Sequence, residues 1–486
     1  MSKQQSRSKI YSLLSFIFFL FVSTFFTIFW ASWDLAKLKI FPALFVLAER
    51  DKLPEDFMIV WYARSELSEE AFFEVFSTSV RSYTKVWWEH EERVLASLKS
   101  KVYYISAPYD TPEGFGQYRA YVDRYSREST QVLYLAVPPW VVSPILSNFS
   151  KAFPDRATRD IRVILEKPFG HDELSARTLL AELREYYSDD ELYFLDHYMG
   201  KKSMRSLLAL RAKNRIIDTM IAPSEIARIE ISALEDFDIR DRVGYFDSVG
   251  IIRDMVQSHL FEMLALITLD LPSFLDPSSI ASARQALLSK LTFIPERDRI
   301  SIGQYASYQT DHDVTKNSLT ETFVALSLSI DDPKWQHIPI YLRSGKSLES
   351  KETYIVITFR PSAHAHPDED PNRIIISLYP LEEISMRFLD ESWDRRETHE
   401  IITHDSIAGE ASTYLGSHEL LFLDAIHHER RFFLTPEEIL ASWRCIDRVR
   451  EYIQVAHTVP EIYPNRSVGP RGQYDVLEEW YARDTI

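Results

Sequence analysis

Glu166-Lys167-Pro168-Phe169-Gly170 follows the apolar run Val163–Leu165, which stands a lysine at the carboxyl end of a predicted parallel strand. That is the edge of an open α/β sheet where ligands bind. A second group, Asp196-His197-Tyr198-Met199-Gly200-Lys201, gathers a carboxylate, an imidazole, a phenol and an ammonium. Farther on, His259 closes the segment that begins at Arg253-Asp254, and Arg343-Ser344-Gly345-Lys346 sets a lysine in a glycine-containing turn. The chemistry open to an imidazole with a carboxylate partner is proton transfer: the ring takes a proton near neutral pH, and the carboxylate fixes its tautomer and stabilises the imidazolium. Taken singly these residues are ordinary. His259 on an apolar helix face reads as a hydrogen-bonded core histidine, and Lys346 as a solvated turn residue.

A further segment, Phe29-Trp30-Ala31-Ser32-Trp33-Asp34-Leu35-Ala36-Lys37, looks like a nucleotide-binding turn with tryptophan in its glycine positions. Such a turn needs glycine for a tight, often φ > 0 backbone and for room, so that main-chain N–H groups can touch pyrophosphate. No glycine precedes Gly114. The whole chain has only 12 in 486 residues, where average usage gives roughly 34.

The elements that position these groups follow a clear order. Phe25–Phe29, Phe57–Tyr62, Val102–Ser106, Val132–Ala136 and Arg162–Leu165 read as short apolar strands, with helical stretches such as Asp34–Leu47 and Ser68–Phe76 between them. This alternation predicts a Rossmann-like, doubly wound parallel sheet over residues 25–200. Longer alternating segments follow at Ala227–Ser232, Thr322–Ser329, Tyr354–Phe359 and Arg373–Leu378, with helices at Val249–Leu269 and Pro436–Val455. They predict an α+β domain with a large antiparallel sheet over residues 201–486.

Composition excludes some functions. A net charge of −17 argues against nucleic acid, and the single Cys445 excludes an intrachain disulfide framework. No metal is expected: His364 and His366 beside Asp368–Asp370 read as a solvated loop, and the adjacent His427 and His428 point different ways on a helix.

Residues 1–24 are a basic start, Lys3, Arg7 and Lys9, and then an uncharged run that continues from Ile10 to Trp33. It can be read as a signal peptide, as a membrane anchor with the basic end cytoplasmic, or as a soluble start whose Phe25–Phe29 form a buried strand. With the strand formed, Ile10–Thr24 is short of the ~20 residues of a span and suits an interfacial or partner-packed helix. Association with a membrane or protein partner through residues 10–24 is expected, with the compartment left open, an organelle included, and the soluble cytoplasm disfavoured.

Taken in order, the motifs resemble glucose-6-phosphate dehydrogenase. The resemblance rests on Glu166–Gly170, Asp196–Lys201, Asp34–Lys37, Tyr62–Arg64, Gly244-Tyr245-Phe246-Asp247, Arg253–His259, Arg343–Lys346 and Gly469-Pro470. It implies that His259 is the general base for the sugar C1 hydroxyl, oriented by Asp196, while hydride leaves to NADP. It also implies phosphate contacts from His197, Tyr198 and Lys201, sugar contacts from Lys167, Glu235, Asp247, Lys346 and Lys351, and a homodimer through the C-terminal domain.

The nucleotide turn departs from the family. Trp30 and Trp33 replace glycines there and Trp61 replaces the glycine ending the next strand, whereas Ser32, Asp34, Leu35 and Arg64, the residue matched to the 2′-phosphate contact, remain. Lys202 replaces a glutamate, and His428 a glycine. Non-glycine residues in glycine-only backbone cost on the order of 1–3 kcal/mol each. Three indoles filling the pyrophosphate pocket lead to the expectation of a family member without cofactor or catalysis. It would be a structural or glucose 6-phosphate-sensing subunit of a membrane-associated assembly. The alternative is an active NADP-dependent enzyme that oxidises glucose 6-phosphate to 6-phosphogluconolactone in the pentose phosphate pathway.

Overall fold

A computed structural model describes residues 24–30, 35–84, 88–125, 129–239, 243–364, 369–392, 395–403 and 415–481. They form two compact units, the first drawn from residues 1–169, 178–197 and 415–435 and the second from 170–177, 198–414 and 436–486. Of the expected membrane- or partner-associating segment, residues 10–24, all but one lie outside the described residues. Its last residue, Thr24, opens a strand.

Unit 1 is the Rossmann-like sheet. Strands β1 (Thr24–Trp30), β2 (Phe57–Ala63), β3 (Val102–Ser106), β4 (Thr130–Ala136), β5 (Ile161–Glu166) and β6 (Leu192–Leu195) stand in the order β3-β2-β1-β4-β5-β6. Every pairing is parallel. Helices cover both faces of such a sheet, so β2 is buried at all of its positions, which is why it reads as unbroken apolar sequence. The strand order reverses between β1 and β4, whose carboxyl ends lie at Trp30 and Ala136, and such a reversal is where open α/β sheets carry a ligand crevice. A late segment completes the layer: the helix Ser417–Ile426 sets Phe422 against Phe26, ring centroids 5.1 Å apart. The Arg162 guanidinium donates to the carbonyls of Ala425 (2.8 Å) and Ile426 (2.6 Å) at the C-terminal end of that helix.

Trp61 departs from the expected indole-lined pocket. It is fully buried, edge-on to Phe41 at 4.5 Å and 5.1 Å from Phe72, so it packs between the sheet and the helices Phe41–Glu49 and Glu69–Tyr83. The strand pleat decides this, because alternate side chains face opposite sides of the sheet. Trp30 ends β1, whereas Ser32, Trp33 and Asp34 lie outside the described residues.

Unit 2 is built on a large mixed sheet. Its strands are β7 (Ile226–Leu234), β8 (Leu291–Thr292), β9 (Ile300–Tyr305), β10 (Phe323–Ile330), β11 (Ile340–Gly345), β12 (Glu352–Phe359), β13 (Arg373–Tyr379), β14 (Glu383–Ser392), β15 (Arg395–Thr403) and β16 (Glu461–Tyr463). They run β15-β14-β13-β12-β7-β11-β10-β9-β16, with β8 paired to β10. The pairs β7/β11 and β16/β9 are parallel and the others antiparallel. The expected single helix Val249–Leu269 is interrupted: Val243–Ile251 contains Gly250 at φ 74°, a π-helical stretch Ile252–Leu260 follows, and Phe261–Thr268 is α-helical.

The helix Pro436–Val455 packs on this π-helical stretch, where Gln257 Nε2 donates to Ser442 Oγ at 2.8 Å. It is itself joined to the helix Pro277–Leu288 by a bidentate ion pair, Arg284 to Glu438 at 2.6 and 3.2 Å, with both side chains 0% exposed. Burial works to lower the Arg284 pKa, but Glu438 and Glu262 outweigh it and raise it. Arg284→Met strands buried carboxylate charge and is expected to cost about 3–5 kcal/mol of stability. Urea denaturation measures it, and Arg284→Met with Glu438→Leu should recover much of the loss.

Candidate active site

In unit 1 the candidate residues cluster at strand ends. Glu166 closes β5 and accepts a hydrogen bond from Tyr134 of β4. Burial raises the Glu166 carboxyl pKa and drives the Tyr134 hydroxyl well above its usual value. Lys167 follows, half-buried. Asp196, 2% exposed, follows β6, and the His197 ring stands 6.3 Å from that of His418. At the end of β2 Arg64 is exposed, its guanidinium 5.7 Å from the centre of the Tyr109 ring.

In unit 2 the sheet register creates a charged cluster. The parallel pair β7/β11 ends with Leu234 opposite Gly345, so the next residues, Glu235 and Lys346, emerge side by side. Gly345 makes room for this turn: a Cβ there would lie 2.4 Å from the Phe323 ring. The Lys346 ammonium, 8% exposed, donates to Glu235 and stands 3.4 Å from Asp254. Burial works to lower its pKa, yet the two carboxylates outweigh that and raise it. Lys351 lies 4.5 Å from the Tyr379 ring centre and 5.4 Å from that of Phe237, a ring Lys346 also approaches at 6.0 Å.

His259 is buried on the stretch Ile252–Leu260, and its ring stacks on Tyr198 at 4.2 Å and 27°. Asp254 lies five residues earlier on the same stretch. In an α-helix five residues turn the side chain about 140° off the starting face. The i→i+5 pattern of a π-helix instead stacks residues five apart, and so puts Asp254 and His259 on one face. Lys201 caps the helix Lys202–Lys213; its ammonium stands 3.3 Å from Glu382, whose carboxylate also accepts the Ser203 N–H at 3.1 Å.

Asp247, expected as a sugar contact, stands in a hydrogen-bonded loop. Its carboxylate accepts from Tyr308 Oη (2.9 Å), Ser318 Oγ (2.5 Å) and the Thr315 N–H (3.1 Å), closing a loop. Asp254 stands beside Lys346. It sat unremarked inside the recognised Arg253–His259 segment, because its spacing to His259 is not a same-face spacing in an ordinary helix.

Two family profiles match in succession: glucose-6-phosphate dehydrogenase, NAD binding domain, over residues 27–206, and glucose-6-phosphate dehydrogenase, C-terminal domain, over 208–483. Relatives include the glucose-6-phosphate 1-dehydrogenase of Saccharomyces cerevisiae, 31% identical over 478 residues and covering 94% of this chain and 93% of that one. The chloroplastic glucose-6-phosphate 1-dehydrogenase of Nicotiana tabacum is 31% identical over 483 residues, covering 94% and 80%. Among solved structures, glucose-6-phosphate dehydrogenase in complex with its substrate glucose-6-phosphate aligns with a TM-score of 0.88 at 30% identity, over 96% of this chain and 99% of that one. These matches overturn the expectation of a non-catalytic structural or sensing subunit. Relatives similar through both domains carry the name of the enzyme, and Trp61, one ground for the expected loss, is a core residue.

The bonds to Asp247 make stability depend on pH. Burial works to raise its pKa, but the bonds from Ser318, Thr315 and Tyr308 outweigh it and hold the carboxyl below its ordinary value. A depressed folded-state pKa contributes stability above the unfolded value, lost as pH falls through the folded one. Asp247→Asn is therefore expected to melt below the parent at pH 7, the gap closing as the pH falls below the usual Asp range, as read by thermal denaturation across pH.

Proposed function

The chain belongs to the glucose-6-phosphate dehydrogenase family, and from that premise we infer that it is an active NADP-dependent glucose-6-phosphate 1-dehydrogenase, yielding 6-phosphogluconolactone. One observation carries the reading: Lys346 is held between Glu235 and Asp254, with His259 on the same helical stretch as Asp254. A buried ammonium flanked by two carboxylates offers donors and acceptors to sugar hydroxyls. His259 takes the proton of the C1 hydroxyl as the C1–O bond becomes a carbonyl. Asp196 is its carboxylate partner in this proposal, fixing the tautomer and stabilising the imidazolium. Lys201, Tyr198 and His197 take the phosphate, and Lys167 and Lys351 the sugar.

The described residues of unit 1 fit a nicotinamide dinucleotide. The crevice lies at the topological switch point, Arg64 is exposed at the end of β2 where a 2′-phosphate needs a cation, and Trp61 is withdrawn into the core. Bound there, NADP supplies the acceptor for the hydride from C1. Association through residues 10–24 and dimerisation through the C-terminal sheet are kept as part of the proposal, the first supported by the apolar start and the second by the family resemblance.

Addition of glucose 6-phosphate and NADP to the purified chain is expected to produce NADPH by absorbance, and each ligand alone to raise the melting temperature. No NADPH and no shift with NADP would sink the reading. His259→Asn should lower kcat by about 10²–10⁴-fold while glucose 6-phosphate still stabilises the protein. Trp30→Gly with Trp33→Gly should tighten NADP, because removing two indoles from the glycine positions of the nucleotide turn gives pyrophosphate room to approach main-chain N–H groups. The thermal shift with NADP reads this independently of turnover.

A further inference from the structure

Three consecutive residues, Thr320, Glu321 and Thr322, hold the segments that carry the charged cluster of unit 2. Thr320 Oγ1 donates to the Asp247 carbonyl at 2.6 Å. The Glu321 carbonyl accepts the Ile251 N–H at 2.9 Å, and its side-chain Oε1 accepts the Ile252 N–H at 3.2 Å. The Thr322 carbonyl accepts the Lys346 N–H at 3.0 Å, and its hydroxyl pairs with Tyr463 Oη at 3.0 Å, which in turn donates to the Lys346 carbonyl at 2.7 Å. The chain running into β10 thus fixes both the stretch bearing Asp254 and His259 and the turn bearing Lys346.

The link to the Asp254–His259 stretch has one component that depends on a side chain. Non-helical Gly250 breaks the helix, so the turn that restarts at Ile251 has N–H groups without intrahelical acceptors. A side chain with an acceptor oxygen at this reach suits that position. The fit is close: a Cβ on Gly250 would lie 2.3 Å from Glu321 Oε1. Arg253, which follows Ile252, lies in the field of the same carboxylate.

We propose that Glu321 is a positioning residue of the reaction, its carboxylate setting through the Ile252 N–H where Asp254 and His259 stand. The proposal rests on the dehydrogenase reading above. Glu321 touches neither substrate nor cofactor; it acts through the helical stretch.

Two conservative variants separate reach from charge. Glu321→Gln keeps an acceptor at the same reach, whereas Glu321→Asp keeps the charge but is one methylene short. Glu321→Asp is expected to lose roughly ten- to a hundredfold in kcat, the scale of a small misplacement of reacting groups, with KM for NADP unchanged. Glu321→Gln should stay close to the parent. Hydrogen exchange at the amides of residues 252–260 should quicken in Glu321→Asp and not in Glu321→Gln. Parental kcat and exchange in Glu321→Asp would overturn the proposal, as would equal losses in both variants. A parent that makes no NADPH would remove the dehydrogenase reading, while the exchange comparison would still decide whether Glu321 sets this stretch.

Discussion

A single buried ammonium organises the candidate site. Lys346 is almost withdrawn from water, and hydration lost by a buried charge is worth several kcal/mol unless other charges replace it. Glu235 and Asp254 replace it, and they arrive from different elements: one from the end of β7, the other from the stretch Ile252–Leu260. The lysine therefore both requires and holds the convergence of a strand end, a turn and a helix. Two carboxylates this close to each other would repel without it. Their shared counter-ion makes the convergence favourable.

That requirement explains several local irregularities. The β7/β11 register has to end with Leu234 opposite Gly345, since a shift of one residue would turn Glu235 or Lys346 to the other side of the sheet. Gly345 has no tolerated side chain beside Phe323, and Gly250 takes a left-handed φ beside Glu321. The helix beyond Gly250 is widened to a π pattern, which brings residues five apart into alignment. A regular α-helix over the same residues would splay Asp254 and His259 apart.

Elements with strong local signals are legible in the sequence, and those set by distant partners are not. Strands such as β2 and β5 were legible because burial on both faces leaves an unbroken apolar run. Lys346 and Glu235 were reached through ordered motifs. Asp254 was not, because a period of 3.6 puts it on the wrong face, and no residue-level pattern announces a π-helix. The membership of residues 415–435 in unit 1 was equally hidden: Arg162 reaches the carbonyl of Ala425 across a separation of 263 residues. Such contacts leave no periodic trace in either segment.

Trp61 shows how a substitution can be read correctly as to position and wrongly as to consequence. A glycine position at the end of a Rossmann strand suggests that any side chain there meets the ligand. The direction in which that side chain leaves the strand is set by the pleat, however, and at Trp61 it leads between Phe41 and Phe72 into the helix-covered layer. An indole there adds apolar contact instead of filling a crevice. His428 makes the complementary case, since it takes a glycine position and retains the left-handed backbone, φ 59°, with its ring 2.9 Å from the Tyr193 hydroxyl. Loss of a glycine therefore removes a function only where the ligand needs the vacated space or where no neighbour offsets the backbone strain. At Trp61 the first condition is absent, and at His428 the strain is borne beside a hydrogen bond.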